Sequence, residues 1–204
     1  MQPPTPLITS LEELWKKAAA AQQHSYAAHP EIVCRTGCNL CCKGHGSPIT
    51  YAVEWEPIAS FLTQHPEQKA AVKARYLALK SRLKSQMQQE NPTLYQALFD
   101  TPCPFITSAE NDEATAEGKT VTEYCGIYEI RPMTCRVFGN TTLQTPVTSG
   151  EAVYACNPEK DRWEETLPMA VDLPSRDAFF AELAATGAPR SLLSFLEAYF
   201  YEHP

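Results

Sequence analysis

The sequence predicts an α+β fold: one mostly helical domain with a small β element, in which a cysteine cluster joins the two halves. Three observations favour this class. The chain has 204 residues, which is the size of a single domain. Apolar residues recur at helical spacing in the first half and at the C-terminal end, whereas short segments rich in threonine and valine lie between them. The cysteines span residues 34 to 156, so the fold must bring both halves together.

The first half is predicted to be helical on both sides of a cysteine-rich loop. Ser10 and Glu13 are spaced as a capping box for a first helix over residues 11–28. Residues 34–46 are punctuated by glycines and are therefore predicted to form a loop. The apolar spacing predicts three further helices, over residues 51–64, 66–89 and 91–99.

The second half is predicted to contain the β element and two closing helices. Cys103–Ile106 and Thr120–Ile127 have the composition of short strands. The acidic segment 108–119 between them is predicted to be an exposed hairpin loop. The remaining predictions are a helical turn over 129–138, one or two strands over 141–154, and helices over 175–185 and 189–201.

The charge and hydropathy exclude several function classes. The chain has 17 Lys and Arg against 24 Asp and Glu, a net charge of −7, which fits neither a nucleic-acid binder nor a protein attracted to anionic lipid. Mean hydropathy is −0.32, and no apolar run approaches the roughly 18 residues of a membrane span. The N-terminus lacks the basic and apolar regions of a secretory signal. We therefore expect a cytoplasmic protein that binds neither nucleic acid nor membranes.

The eight cysteines are the compositional outlier. Four of them occur within the segment 34–42 in the spacing C-x3-C-x2-C-C, a density that packing does not explain. Because cytoplasmic thiols stay reduced, such a group predicts metal or redox chemistry before disulfides. Thiolates bind zinc, copper(I) and iron–sulfur clusters. The other four cysteines are spread along the chain, and any one of them alone would also fit a small buried apolar side chain.

The spacing leaves two questions open. Adjacent cysteines such as Cys41 and Cys42 rarely both bind one metal ion, which indicates two sites or a cluster with one thiol that is not a ligand. The spacing C-x3-C-x2-C also occurs in radical S-adenosylmethionine enzymes, whose loop usually has an aromatic residue where this chain has Leu40. Predicted helices rather than βα units follow the loop, which disfavours that class.

Three residues of the Cys125–Phe138 segment are candidate cofactor-binding residues: Arg131, Arg136 and Tyr128. The guanidinium groups can offset the negative charge of a thiolate centre, and Tyr128 can pack beneath such a centre and exclude water. Two other roles stay open for the arginines. They can pair with surface carboxylates, or they can bind an anionic substrate.

The cysteine motifs together resemble the YkgJ-type cysteine-cluster family. The resemblance rests on Cys34-x3-Cys38-x2-Cys41-Cys42, on Cys103-Pro-Phe-Ile, and on Cys125-Gly-Ile-Tyr-Glu-Ile-Arg-Pro-Met-Thr-Cys135-Arg-Val-Phe, over about residues 30–160. It implies zinc or iron–sulfur binding, in some members an oxidoreductase activity, and a relation to a domain of flagellin lysine methylases. The metal ligands that it implies are drawn from Cys34, Cys38, Cys41, Cys42, Cys103, Cys125, Cys135 and Cys156.

We therefore expect a metal-binding protein. An iron–sulfur cluster, [4Fe–4S] ahead of other types, is favoured over zinc because all candidate ligands are cysteines and exceed the four of a tetrahedral zinc site. The alternative is a structural or metal-handling zinc protein without catalytic activity. An iron–sulfur oxidoreductase and a protein-modification enzyme both stay open. The expected organisation is an N-terminal helix (1–29), a cysteine-cluster metal-binding domain (30–160) and a C-terminal helical extension of the same domain (161–204).

Overall fold

The computed structural model describes residues 10–30, 34, 38–44, 47–89, 101–115, 118–144, 151–153 and 173–203. Its helices are α1 (Leu11–Ala28), α2 (Leu40–Gly44), α3 (Ala52–Gln64), α4 (Pro66–Gln89), α5 (Met133–Val137), α6 (Asp177–Ala184) and α7 (Leu192–Glu202), with a 3₁₀ turn at Tyr128–Ile130. Its strands are β1 (Ile49–Thr50), β2 (Ile106–Thr115), β3 (Gly118–Cys125), β4 (Thr142–Gln144), β5 (Glu151–Val153) and β6 (Arg190–Ser191). The predicted α+β class is confirmed, because helices dominate the described residues and the strands form small two-stranded pairs.

The chain divides into two compact units. The first unit comprises Met1–Cys34, Thr50–Glu54 and Pro132–Pro189, and the second comprises Arg35–Ile49, Trp55–Arg131 and Arg190–Pro204. Among the described helices, none has the length and apolar character that crossing a membrane requires.

The first unit is built on α1, α5 and α6. The predicted capping box of α1 is confirmed, since the Glu13 carboxylate accepts from the Ser10 N–H at 3.1 Å and the Ser10 hydroxyl accepts from the Glu13 N–H at 3.2 Å. The paired strands β4 and β5 confirm the predicted β segment after residue 141. One face of each helix enters a core made of Leu14, Ala18, Tyr51, Met133, Val137, Phe179 and Leu183.

The second unit is built on α3, α4 and α7. Their apolar faces meet in a core made of Ile58, Leu62, Val72, Tyr76, Phe105, Ile127, Leu192, Leu196, Tyr199 and Phe200. Trp55 stacks on Phe195 with ring centroids 5.4 Å apart. Cys103 and Cys125 pack against this core, so it supports part of the cysteine group directly.

The strands β2 and β3 form an antiparallel ribbon that the sequence predicted only in part. Pairing runs from Ile106 opposite Cys125 to Thr115 opposite Gly118, with an irregularity between Glu110 and Ala114. The prediction of a loop over 108–119 was therefore wrong for most of that segment. The β-branched residues of β3 form a strand readily, and backbone pairing draws the acidic segment into register despite its weak strand preference.

Two further differences concern the first half. The predicted loop 34–46 contains the short helix α2, which begins where the Lys43 N–H donates to the Asn39 carbonyl at 3.1 Å. The four residues before Gly44 contain neither glycine nor proline, so a single helical turn is sterically allowed there. The helix predicted over 91–99 lies outside the described residues.

Candidate metal centre

Five of the candidate ligands belong to the second unit: Cys38, Cys41, Cys42, Cys103 and Cys125. We call them the five-thiol group. The three cysteines of the loop lie on or just before α2, whereas the other two flank the base of the ribbon, where Ile106 pairs with Cys125. All five side chains are partly buried thiols.

Two contacts hold α2 against the end of β3. The Asn39 side-chain amide donates to the Glu123 carbonyl at 3.0 Å. The Lys43 ammonium lies 2.5 Å from the Glu123 carboxylate. Because Glu123 precedes Cys125 by two residues, both contacts bring the loop cysteines to the base of the ribbon.

A backbone contact joins Cys103 to the same loop. The Cys103 N–H donates to the Cys42 carbonyl at 2.7 Å. The Cys103 carbonyl in turn accepts from the Ile106 N–H at 3.1 Å, which starts the ribbon. The Cys103–Ile106 segment is therefore a turn that connects the loop to β2, whereas the sequence predicted that it is a strand.

Electrostatic interactions show which of the five thiols are neighbours. A hydrogen bond from the Cys42 side chain lowers the pKa of the Cys41 thiol, against burial and the charge of Cys38, which raise it. Burial, together with the charges of Cys125 and Cys41, raises the pKa of Cys103 to about 12. Cys41 thus has neighbours both in its own loop and at the base of the ribbon.

The five-thiol group fits a soft metal by its donor chemistry. Thiolates are soft ligands for zinc and iron–sulfur clusters. Within the described residues, no three His, Cys, Asp or Glu side chains already form a metal-holding arrangement. The short two- and three-residue spacings of the loop allow neighbouring thiols to turn towards one point.

Two other candidate ligands, Cys34 and Cys135, belong to the first unit. The Cys34 thiol donates to the Phe138 carbonyl at 3.3 Å, and the Tyr26 hydroxyl donates to the Cys34 carbonyl. Gly139 has a φ of +89°, and a Cβ atom there would lie 2.5 Å from the Cys34 sulfur. Only glycine leaves room for Cys34 at this position.

Cys135 lies on α5, whose first turn is fixed by the buried carboxylate of Glu54. The Glu54 Oε1 accepts from the Met133 N–H at 2.5 Å, and its Oε2 accepts from the Tyr51 N–H at 3.0 Å. Burial raises the pKa of Glu54, against these two hydrogen bonds and the positive charge of Arg136, which lower it. One carboxylate therefore caps the N-termini of both α3 and α5.

A comparison with protein families matches the sequence to a described domain. The family model CxxCxxCC, described as a "putative zinc- or iron-chelating domain", matches residues 33–164, which is more than half of the chain. The chain belongs to the CxxCxxCC family. The resemblance predicted from the cysteine motifs is confirmed, and the family description supports metal chelation by zinc or iron. No curated protein and no solved structure matches the chain.

The three candidate cofactor-binding residues have contacts with each other or with an aromatic ring. Arg131 lies 3.6 Å from the Tyr128 ring centroid and donates to the Tyr128 carbonyl at 2.7 Å, within the second unit. Arg136 lies over the Trp15 ring at 4.3 Å, within the first unit. Both arginines are buried. Their role, and that of Tyr128, stays a prediction, as does the role of Cys156, which lies outside the described residues.

Sequence reasoning missed three residues that position CxxCxxCC cysteines: Arg75, Glu54 and Gly139. Arg75 donates from Nε to the Pro104 carbonyl at 2.7 Å and influences Cys103 electrostatically. Glu54 carries a weak sequence signal, because it lies three residues after Tyr51, as in a capping box. Arg75 contacts Pro104, which is 29 positions away in the chain, and Gly139 contacts Cys34, which is 105 positions away. No local sequence pattern indicates contacts over such separations.

Proposed function

We propose that this protein binds an iron–sulfur cluster, of the [4Fe–4S] type, through cysteine thiolates of the five-thiol group. The observation that carries the proposal is that Cys41 and Cys103 interact with each other and with further thiols of the second unit. Cysteine is the usual ligand of such clusters, and four ligands suffice for one. The fifth thiol then serves as a hydrogen-bond donor, as Cys42 does to Cys41.

The donor set and the surroundings of the five-thiol group support a cluster over a zinc ion. One tetrahedral zinc ion uses four ligands, and the group offers five thiols without a described histidine among them. The apolar core behind Cys103 and Cys125 excludes water from one side of the site, and burial of a cluster is one factor that sets its reduction potential. The competing function is a structural or metal-handling zinc site.

A bound cluster of this kind would supply one-electron redox chemistry. The protein's own residues would hold the thiolates, since the Asn39 and Lys43 contacts fix α2 and the Cys103 N–H fixes the turn before β2. We place this function in the cytoplasm, where thiols stay reduced. The net charge of −7 argues against nucleic acid or anionic lipid as the partner.

The test is a set of single Cys→Ser variants, reconstituted anaerobically with ferrous iron and sulfide. We expect Cys41→Ser and Cys103→Ser to lose most of the visible absorption that dithionite bleaches in the wild type. Cys42→Ser should keep it, because a serine hydroxyl can still donate a hydrogen bond to Cys41. Wild-type absorption in both Cys41→Ser and Cys103→Ser would contradict the proposal.

The same substitution at Cys34 and Cys135 tests the two cysteines of the first unit. Loss of the cluster in these variants would extend the ligand set beyond the five-thiol group. Circular dichroism of each variant without iron separates loss of a ligand from loss of the fold.

A further inference from the structure

Arg75 is a partly buried cation beside the five-thiol group. It lies on α4 between Val72 and Tyr76, which both enter the core of the second unit. Its Nε donates to the carbonyl of Pro104 at 2.7 Å. Pro104 follows Cys103, so the guanidinium group holds the turn that carries this thiol.

Arg75 interacts electrostatically with one thiol of the five-thiol group. Partial burial lowers the pKa of Arg75, and the charge of Cys103 opposes this effect. The Cys103 thiol becomes negatively charged when it binds a metal.

A continuous path of contacts links Arg75 to the loop cysteines. Arg75 holds the Pro104 carbonyl, and the Cys103 N–H in turn donates to the Cys42 carbonyl at 2.7 Å. The position of Cys103 relative to Cys42 therefore depends on α4 as well as on the ribbon. This gives Arg75 two effects on a bound metal, one through geometry and one through charge.

We propose that Arg75 is a positioning residue that fixes Cys103 and offsets the negative charge of metal-bound thiolates in the five-thiol group. The inference rests on the proposed function only in requiring that this group binds a metal. It applies to a zinc ion as well as to an iron–sulfur cluster, because both are held by thiolates.

The test compares Arg75→Gln, Arg75→Lys and the control Lys73→Gln. Lys73 lies on the same helix and its ammonium is 5.9 Å from the Phe200 ring centroid, so Lys73→Gln removes one positive charge from α4 without altering the contact to Pro104. The first readout is zinc affinity, measured by competition with a chromophoric chelator. The second readout is the midpoint potential of the reconstituted cluster.

We expect Arg75→Gln to weaken zinc binding by roughly tenfold to a hundredfold, the usual cost of removing a residue that supports a ligand. Arg75→Lys should lose less affinity, because the positive charge is kept. The midpoint potential should fall in Arg75→Gln and stay near the wild-type value in Arg75→Lys, since loss of a nearby cation disfavours adding an electron. Lys73→Gln should match the wild type in both readouts.

Three results would overturn the inference: wild-type affinity and potential in Arg75→Gln, equal effects in Lys73→Gln, or an equally lowered potential in Arg75→Lys. If Arg75→Gln does not fold, as judged by circular dichroism, the zinc affinity of Arg75→Lys decides, because it should still fall below that of the wild type and an unchanged affinity would overturn the inference. A wild-type protein that binds neither zinc nor iron would overturn the proposed function and this inference with it. Normal metal binding that is insensitive to Arg75→Gln would overturn this inference alone.

Discussion

At the scale of single residues, the cysteines differ because their surroundings differ. Cys41 has a hydrogen bond from Cys42 that lowers its pKa, whereas burial against the core raises the pKa of Cys103 to about 12. The sequence predicts that these residues bind a metal, but it cannot rank them by the pKa of their thiols. Their ranking depends on burial and on contacts with residues distant in the chain, such as Arg75.

The first prediction concerns thiol reactivity in the metal-free protein. At pH 8 a thiol with a pKa of about 12 is only about 0.01% thiolate, and the thiolate is the form that reacts. Iodoacetamide should therefore modify Cys41 well before Cys103, as followed by peptide mass spectrometry over time. In urea the two rates should converge. Equal rates in the folded protein would show that the two environments are alike.

The second prediction concerns Gly139. Gly139→Ala places a Cβ atom 2.5 Å from the Cys34 sulfur at a φ of +89°, so it should lower the free energy of unfolding by about 1–3 kcal/mol. Gly187→Ala is a matched control, because φ is +135° there but no atom lies within 4 Å of the added Cβ. Urea denaturation measures both variants. A smaller loss in Gly139→Ala than in Gly187→Ala would refute the steric argument.

At the scale of elements, local signals predicted the long helices and the short helix α5, and missed the short helix α2 and most of β2. The helix α1 follows from its capping box, and α4 from a proline at its start and apolar spacing along its length. The helix α2 and most of β2 could not be predicted, because each depends on a partner. The Glu123 contacts hold α2, and pairing with β3 holds an acidic strand that has little intrinsic preference for β structure.

A prediction at this scale concerns the carboxylate that caps α3 and α5. Burial raises the pKa of Glu54 above its ordinary value of 4.5. The folded state therefore binds the proton more tightly than the unfolded state. The stability that protonated Glu54 contributes is fully present below about pH 4.5, and it is lost as the pH rises through the folded-state pKa.

Glu54→Gln should remove this pH dependence. It should also cost about 1–3 kcal/mol at acid pH, because one of the two N–H groups loses its acceptor. The free energy of unfolding, measured from pH 4 to pH 8 by urea denaturation, should show the wild type losing its advantage over the variant as the pH rises. Glu56→Gln, an exposed change on α3, is the control and should follow the wild type. Parallel curves for the wild type and Glu54→Gln would be incompatible with a raised pKa.

At the scale of the whole molecule, the family was predictable and the distribution of the cysteines was not. The motifs around Cys34–Cys42 and Cys125–Phe138 predicted the family, and the match to residues 33–164 confirms it. The division of the cysteines, with the five-thiol group in one unit and Cys34 and Cys135 in the other, depends on which segments form each unit. Spacing along the chain carries no information about that division.

A prediction at this scale follows from the need to bring thiols together. Because the folded chain brings together cysteines that are distant in the sequence, such as Cys42 and Cys103, metal binding should be coupled to folding and should stabilise the fold. A metal present at about a hundredfold above its dissociation constant adds about 2.7 kcal/mol. Thermal unfolding should shift to lower temperature after anaerobic removal of the metal with a chelator. Identical melting curves before and after confirmed metal removal would contradict this coupling.

The central claim is that cysteine thiolates of this protein hold an iron–sulfur cluster. Its most direct test is to count iron, acid-labile sulfide and zinc per chain in protein purified without oxygen and without a metal-chelating tag. We predict about four irons and four sulfides per chain, with visible absorption that bleaches on reduction. One or two zinc ions per chain, with neither sulfide nor colour, would contradict the claim and make the cysteines a zinc site.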